Sequence, residues 1–187
     1  MTVSLTVAVW LTWAVLVVGT GYSQTESRDR IDVAATRVSQ RADAVTVASM
    51  TGAAVTAIWL PSADLSGAAW FGLFVGTGVV AVGLAGRHWA ARTLGSDFTR
   101  SVAAPDRLVT TGPYRFVRHP SYAGLLWSLL GLGVTLWNWA SFAIMAIGCS
   151  AAQVVRIHAE EKVLEARMGV KYRDFERTRK RLVPGIW

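Results

Sequence analysis

Apolar and polar stretches alternate along the whole chain, and the apolar stretches are long. Residues 3–22 and 68–86 approach the roughly 20 residues that an α-helix needs to cross a bilayer. The last two apolar runs are shorter and are separated only by Trp137-Asn138-Trp139, which predicts a tilted or partly recessed helical hairpin. The pattern therefore predicts an all-α integral membrane protein with about five transmembrane helices, over residues 3–22, 44–60, 68–86, 121–136 and 140–155.

The polar segments divide the chain into two parts. Residues 1–91 hold the first three predicted helices and a cytosolic loop at 23–43, which either folds as an amphipathic surface helix or only connects two spans. Residues 92–187 hold a polar loop, the helical hairpin and a polar tail. Neither Pro nor Gly interrupts the fifth run before Gly169, so the fifth helix is expected to run on to there, and the tail to stay helical until Pro184. The first run lacks a basic leader, which favours a retained helix over a cleaved signal peptide.

The basic residues are distributed on one side of the predicted membrane topology. All 19 Lys and Arg fall in residues 23–43, 87–120 and 156–187, and Asp64 is the only charged residue in the segments expected on the other side. The positive-inside rule then gives an outward N-terminus, with the C-terminus and the polar chemistry in the cytosol. A basic cytosolic face that meets anionic lipid headgroups accounts for the net charge of +7 without nucleic acid.

The densest polar chemistry lies at residues 112–124, which read GPYRFVRHPSYAG. Pro120 suits the first turn of the fourth helix, where its missing N–H costs nothing. His119 therefore lies at a helix N-terminus, a position that favours a carboxylate or another anion. On the residues alone, His119 is equally an interfacial cap residue, and Tyr114 and Tyr122 are equally tyrosines of an interfacial belt.

The tail opens with a second polar cluster that contains Arg156, His158, Glu160 and Glu161. Arg156 and Glu160 are four residues apart and share one face of the predicted helix. They form either a helical ion pair beside the membrane or half of a site. A carboxylate pair beside a bilayer needs partners, and the hairpin brings the cations of residues 112–124 within reach.

Several classes of protein are disfavoured by what the sequence lacks. The single cysteine, Cys149, excludes an intrachain disulfide and a cysteine-based zinc cluster. His88, His119 and His158 are too far apart to suggest a metal site, so no metal is expected. The chain contains neither a phosphate-binding loop nor an HExxH or GxSxG motif, and it has no strand–helix alternation of the Rossmann type.

The two polar clusters together resemble the isoprenylcysteine carboxyl methyltransferase and phospholipid methyltransferase superfamily. The resemblance covers residues 92–184 in matching order and spacing, while the N-terminal half matches only as hydrophobic spans. It is carried by the following residues: Thr93-Leu94-Gly95, Phe98-Thr99, Leu108 to Tyr114, Arg118 to Tyr122, Gly124, Arg156, Glu160-Glu161, Leu164, Gly169, Tyr172, Phe175 and Arg181 to Pro184.

The resemblance implies an integral membrane enzyme that transfers a methyl group from S-adenosylmethionine to a lipid-borne acceptor. It implies catalytic roles for Glu160, at the acidic position that holds the cofactor, and for Arg156, near the acceptor. Thr99 differs in type from the residue of the prenylcysteine enzymes at its position. The implied cofactor contacts are Thr99, Leu108, Val109, Tyr114, His119, Pro120, Ser121, Tyr122 and Glu160.

The acceptor stays open between isoprenoid, fatty and phospholipid molecules that present a carboxylate, hydroxyl or amine. A carboxylate or a phosphate headgroup would suit Arg156, whereas a hydroxyl or amine would need a base, for which Glu160 and Glu161 are the candidates. The Ala-, Val- and Arg-rich style suggests a bacterial inner membrane, where acceptors other than prenylcysteine are expected. The alternative is a non-catalytic membrane anchor or partner-binding protein with a basic cytosolic face. No sequence feature sets the oligomeric state.

Overall fold

A computed structural model describes residues 2–19, 32–60, 69–98 and 108–185, apart from the side chains of residues 2–5, 16–19 and 96. The described part of the chain is helical and contains no β-sheet. Its six α-helices are α1 (Thr2–Gly19), α2 (Val33–Trp59), α3 (Ala69–Leu94), α4 (Pro120–Thr135), α5 (Trp139–Met168) and α6 (Val170–Thr178), with short 3₁₀ helices at Gly95–Asp97 and Gly112–Arg115.

The helices bear out an all-helical membrane architecture. Within the described ranges, α2, α3 and α5 are long and apolar enough to cross a membrane, and α1 contributes a shorter apolar stretch, Thr6–Val15. The hairpin is found where it was expected, and α5 runs unbroken to Met168 before Gly169 adopts a φ of 54°. With 16 residues, α4 is short, so the count of five spans stays a prediction.

Three predicted boundaries are wrong: two helices extend beyond their apolar runs, and the last helix ends earlier than predicted. Residues 33–43 are the first turns of α2, which begins where the Asp32 carboxylate accepts a 2.7 Å hydrogen bond from the Ala35 nitrogen. Helix α3 continues past residue 86 to Leu94. The last helix ends at Thr178 instead of Pro184, and the backbone after it is extended.

Helices α3 and α4 pack backbone against backbone along a glycine seam formed by Gly76, Gly83, Gly124 and Gly131. A Cβ atom added at Gly83 would lie 2.5 Å from the Ser128 nitrogen, and one at Gly124 would lie 2.6 Å from the Gly83 oxygen. Farther along, a Cβ at Gly131 would lie 2.8 Å from the Gly76 oxygen. Small residues allow helices in a membrane to approach this closely, and the seam fixes where α4 begins relative to α3.

Helix α2 lies antiparallel to α5 and is tied to it near the hairpin turn. The Ser141 hydroxyl donates a 2.8 Å hydrogen bond to the Ala53 carbonyl, and the Asn138 amide donates to the Leu60 carbonyl at 3.1 Å. At the opposite end of the pair, the turn of α2 that carries Asp43 therefore meets the turn of α5 that carries Arg156. This pairing brings a residue of the N-terminal half to the polar end of α5.

Candidate functional site

The start of α4 is joined to the tail by its backbone. The Arg118 nitrogen donates to the Lys180 carbonyl at 2.8 Å, and the His119 nitrogen donates to the Arg181 carbonyl at 3.0 Å. The extended backbone after α6 makes this pairing possible, because it presents its carbonyls to the segment that precedes Pro120. The two polar clusters of the sequence thus meet at the end of the helical hairpin.

Glu161 is the carboxylate on which Arg118, His119 and Arg181 of this junction converge. One of its oxygens lies 3.1 Å from Arg118 Nη2 and 3.2 Å from His119 Nε2, and the other lies 2.9 Å from both Arg181 Nε and Nη2. Arg118 also pairs with Glu176 of α6 at 2.6 Å. The expectation that the cations of residues 112–124 would be partners of the tail carboxylates is confirmed for Glu161. We call Arg118, His119, Glu161 and Arg181 the Glu161 cluster.

The charges of the Glu161 cluster keep its carboxylate ionised. Glu161 lies beyond the apolar part of α5 and is buried. Burial opposes its ionisation, yet the hydrogen bonds from His119 and Arg181 outweigh this effect and lower its pKa to about 2. A carboxylate with so low a proton affinity is a poor general base, so Glu161 is suited to holding the junction together.

Glu160 has different surroundings, although it is the next residue. Neighbouring positions on a helix point about 100° apart. Glu160 acts electrostatically on the hydroxyls of Tyr122 and Tyr114, and it also forms a side-chain hydrogen bond with Tyr122. Among the residues that the structure describes, none forms a hydrogen bond with Glu160 Oε2, although that oxygen is buried. A buried carboxylate oxygen without a donor is costly, which suggests a place for a cationic ligand.

Arg156 lies one turn before Glu160 and is held by two other residues. Its Nη1 atom lies 2.5 Å from Asp43 Oδ1, and its Nε atom donates a 3.1 Å hydrogen bond to the Tyr122 hydroxyl. The guanidinium also lies 5.1 Å from the centroid of the Tyr122 ring. Arg156 is thus fixed at the boundary between α2, α4 and α5, with Asp43 as an ionic partner.

Tyr114 reaches the site from the short 3₁₀ helix Gly112–Arg115. Gly112 has a φ of 56°, and a Cβ there would lie 2.8 Å from Thr93 Oγ1, so both the turn and the close approach to α3 favour glycine. Tyr114 is buried, and burial together with the charge of Glu160 raises the pKa of its hydroxyl. It is therefore a neutral hydrogen-bonding group at the edge of the site.

The remaining predicted cofactor contacts are placed differently. The Ser121 hydroxyl accepts a 3.0 Å hydrogen bond from the buried Arg87. Pro120 is the buried first residue of α4. Leu108 packs against a hydrophobic cluster of α5 and α6, and its neighbour Val109 is half-buried. Thr99 lies outside the described residues.

Tyr114, Tyr122, Arg156 and Glu160 are thus brought together, and His119 lies in the neighbouring Glu161 cluster. Neither Asp43 nor Arg181 is predicted from the sequence to belong to the site. For Asp43 one signal was present, since it is the only acidic residue of α2 and stands at the edge of an apolar run. Arg181 lies in the closing motif of the resemblance but has no neighbour in sequence that identifies its partner.

Comparisons with known proteins relate this chain to one family of methyltransferases. Residues 75–166 match the model of the isoprenylcysteine carboxyl methyltransferase (ICMT) family. The Protein-S-isoprenylcysteine O-methyltransferase of Dictyostelium discoideum is 32% identical over 112 residues, which cover 54% of this chain and 44% of that protein. Protein-S-isoprenylcysteine O-methyltransferase A of Arabidopsis thaliana is 36% identical over 110 residues, which cover 56% of this chain and 53% of that protein. The chain spans about half the length of the curated relatives it matches.

A solved structure shares the arrangement of the helices. The eukaryotic intramembrane Ras methyltransferase ICMT superposes with a TM-score of 0.63 at 25% identity, over 79% of this chain and 53% of that one. The family match includes α4 and most of α5, and with them Tyr114, His119, Arg156 and Glu160. The matched segment, the relatives and the common fold together support a relationship of this chain to the isoprenylcysteine carboxyl methyltransferase superfamily.

Proposed function

We propose that this protein transfers a methyl group from S-adenosylmethionine to the carboxylate of a lipid-like acceptor in the membrane. The observation that carries the proposal is Glu160, whose buried Oε2 atom has no hydrogen-bond partner among the described residues. S-adenosylmethionine carries an ammonium group, and a buried carboxylate oxygen that lacks a donor fits such a cation. Tyr114 and Tyr122 lie near Glu160, and their side chains offer aromatic and hydroxyl surface to the rest of S-adenosylmethionine.

When bound, S-adenosylmethionine supplies an electrophilic methyl group on its sulfonium. The residues of the chain would bind and orient the cofactor and the acceptor. Glu160 would hold the ammonium group, and the first N–H groups of α4, which no described side chain caps, would face the carboxylate group of the cofactor. The Glu161 cluster would keep α4 and the tail in place around these two groups of the cofactor.

The chemistry of the site favours a carboxylate as the acceptor. A carboxylate is already ionised at neutral pH and needs no base, whereas a hydroxyl or amine acceptor would need one. Glu161 is unsuited to that task because its pKa is about 2. Arg156 pairs with the carboxylate of Asp43, and because a guanidinium presents several N–H donors it could bind an anionic oxygen of the acceptor beside that carboxylate. The named relatives are O-methyltransferases of isoprenylcysteine, and a prenylated carboxylate belongs to the same class of acceptor.

The binding of S-adenosylmethionine to the purified protein tests the proposal directly by calorimetry. We expect the unmutated protein to bind and Glu160→Gln to weaken binding by about ten-fold or more, because a charge-assisted hydrogen bond is lost. Glu165→Gln is the matched control, since it removes one negative charge from an exposed position of the same helix. It is expected to leave the affinity unchanged.

A second measurement separates binding from transfer. Arg156→Gln is expected to retain cofactor binding but to lower methylation of a lipid carboxylate by about a hundred-fold, as expected when a positioned charge is lost. No binding of S-adenosylmethionine by the unmutated protein, or equal binding by the Glu160→Gln variant, would contradict the proposal.

A further inference from the structure

Arg156 and Glu160 are spaced to pair with each other along α5, yet Arg156 contacts residues of two other helices. Residues four apart on a helix are neighbours, and an arginine and a glutamate at this spacing attract each other. Arg156 instead contacts Asp43 of α2 at 2.5 Å and the Tyr122 hydroxyl at 3.1 Å. Glu160 keeps a buried Oε2 atom that no described residue donates to.

The partner that draws Arg156 away comes from a different part of the chain. Asp43 is the only acidic residue of α2, so no other carboxylate of that helix can replace it. Its side chain is 49% exposed, whereas that of Arg156 is 8% exposed, which places the pair at the rim of the site with the guanidinium on the inside. Asp43 also lies outside residues 75–166, the segment that matches the family.

We propose that Asp43 is a positioning residue that holds Arg156 against α2 and thereby keeps Glu160 open for the ammonium group of the methyl donor. This role rests on the function proposed above. A buried guanidinium without a counterion is strongly destabilising. If Asp43 were lost, the guanidinium of Arg156 would be drawn towards Glu160, the carboxylate one turn further along the same helix.

The charges of the three groups explain why this arrangement suits the donor. The charges of Arg156 and Asp43 offset each other, and Glu160 adds a negative charge beside Tyr122. S-adenosylmethionine carries two positive groups, the ammonium and the sulfonium, and one negative group. A site with one surplus negative charge therefore complements its net charge, whereas an Arg156–Glu160 pair would leave a neutral site.

The affinity of the full-length protein for S-adenosylmethionine, measured by calorimetry in detergent, tests this role. Asp43→Asn is expected to weaken binding by about ten-fold or more, because the donor must then compete with Arg156 for Glu160. Arg156→Gln alone is expected to stay within about three-fold of the unmutated protein, since it removes the competitor. The double variant Asp43→Asn/Arg156→Gln is expected to recover the same affinity, which a role of Asp43 that does not act through Arg156 would not produce.

Two further variants serve as controls. Asp43→Glu keeps the charge and is expected to bind like the unmutated protein. Asp32→Asn removes one negative charge from the same helix at its N-cap, where asparagine caps as well as aspartate, and it is expected to change nothing.

Three results would overturn the role of Asp43: normal affinity in Asp43→Asn, a double variant as weak as Asp43→Asn, or about ten-fold weaker binding in Arg156→Gln alone. The last result decides the question even if Asp43→Asn does not fold. Absence of binding in the unmutated protein would instead remove the proposed function, and this role with it.

Discussion

At the scale of single residues, two adjacent glutamates have separate surroundings. Glu161 is enclosed by Arg118, His119 and Arg181, while Glu160 faces two tyrosines and keeps one buried oxygen without a described donor. The rotation of about 100° between neighbouring helical positions is sufficient to separate them. A structural ion cluster and a candidate ligand position can therefore share a single turn of helix.

The low pKa of Glu161 predicts a specific dependence of stability on pH. Because its pKa falls from 4.5 to about 2 on folding, its stabilising effect is fully present above pH 4.5 and is lost as the pH falls towards 2. The shift corresponds to at most about 3 kcal/mol. Thermal unfolding in detergent at pH values from about 6 down to 3 should show the melting temperature of the unmutated protein falling.

The matched variants make this pH prediction specific. Glu161→Gln is expected to melt at a lower temperature at neutral pH and to lose that part of the pH dependence, since its side chain cannot titrate. Glu165→Gln, at an exposed position of α5, should follow the unmutated protein throughout. Parallel curves for the unmutated protein and Glu161→Gln would show that Glu161 is not the titrating group.

The sequence predicted the site at this scale only in part. A histidine before a proline, and a carboxylate pair one turn after an arginine, were sufficient to identify His119, Arg156 and Glu160 as candidates. Which glutamate would meet the cations depends on how α5 is rotated about its axis, and a sequence does not specify this. Asp43 could not be paired with Arg156 in advance, because their contact depends on the packing of two helices that are distant in the chain.

At the scale of helices, the glycine seam predicts opposite effects for two glycines of α3. Gly83→Ala would place a Cβ atom 2.5 Å from the Ser128 nitrogen, whereas a Cβ at Gly78 meets no described atom within 4 Å. We expect Gly83→Ala to destabilise the protein by about 1–3 kcal/mol through forced separation of α3 and α4. Gly78→Ala should be neutral or stabilising by up to about 1 kcal/mol, because alanine favours the helix.

Melting temperatures of the two variants in the same detergent provide the comparison. Each variant adds one methyl group to the same helix. The difference between their melting temperatures therefore measures the effect of the close contact between α3 and α4 and not a change in helix propensity. Equal melting temperatures would mean that the two helices do not rely on this close contact.

Helix positions followed from hydropathy, while several helix ends did not. The apolar runs located the starts of α4 and α5 well. Both starts are marked in the sequence, α4 by Pro120 and α5 by Asn138, whose side chain caps the helix. Residues 33–43 and 87–94 are polar enough to interrupt an apolar run, yet they continue α2 and α3 as helix. Hydropathy reports where a helix is expected to meet lipid, and a helix can extend well beyond that zone.

At the scale of the whole molecule, the distribution of the 19 basic residues predicts a cytosolic C-terminus and an outward loop at Asp64. Single cysteines at Asp64 and at the exposed Asp174 of α6 test this topology. A membrane-impermeant maleimide should label Asp64→Cys in intact cells, and Asp174→Cys only after the cells are permeabilised.

The native cysteine should not interfere with this experiment. Cys149 is buried in α5, and a buried thiol reacts slowly with maleimides, so the unmutated protein serves as the background. Labelling of Asp174→Cys in intact cells would place the C-terminus on the outer side and would reverse the predicted orientation.

The glycine seam also limits how a hydrophobic substrate can travel. Where two helices touch through their backbones, no gap remains that is wide enough for a hydrocarbon chain. Under the proposed function, an acceptor that diffuses within the bilayer therefore has no entrance between α3 and α4. The acceptor is therefore expected to enter along another pair of helices. The close contact between α3 and α4 closes one side of the protein to a lipid that approaches from the bilayer.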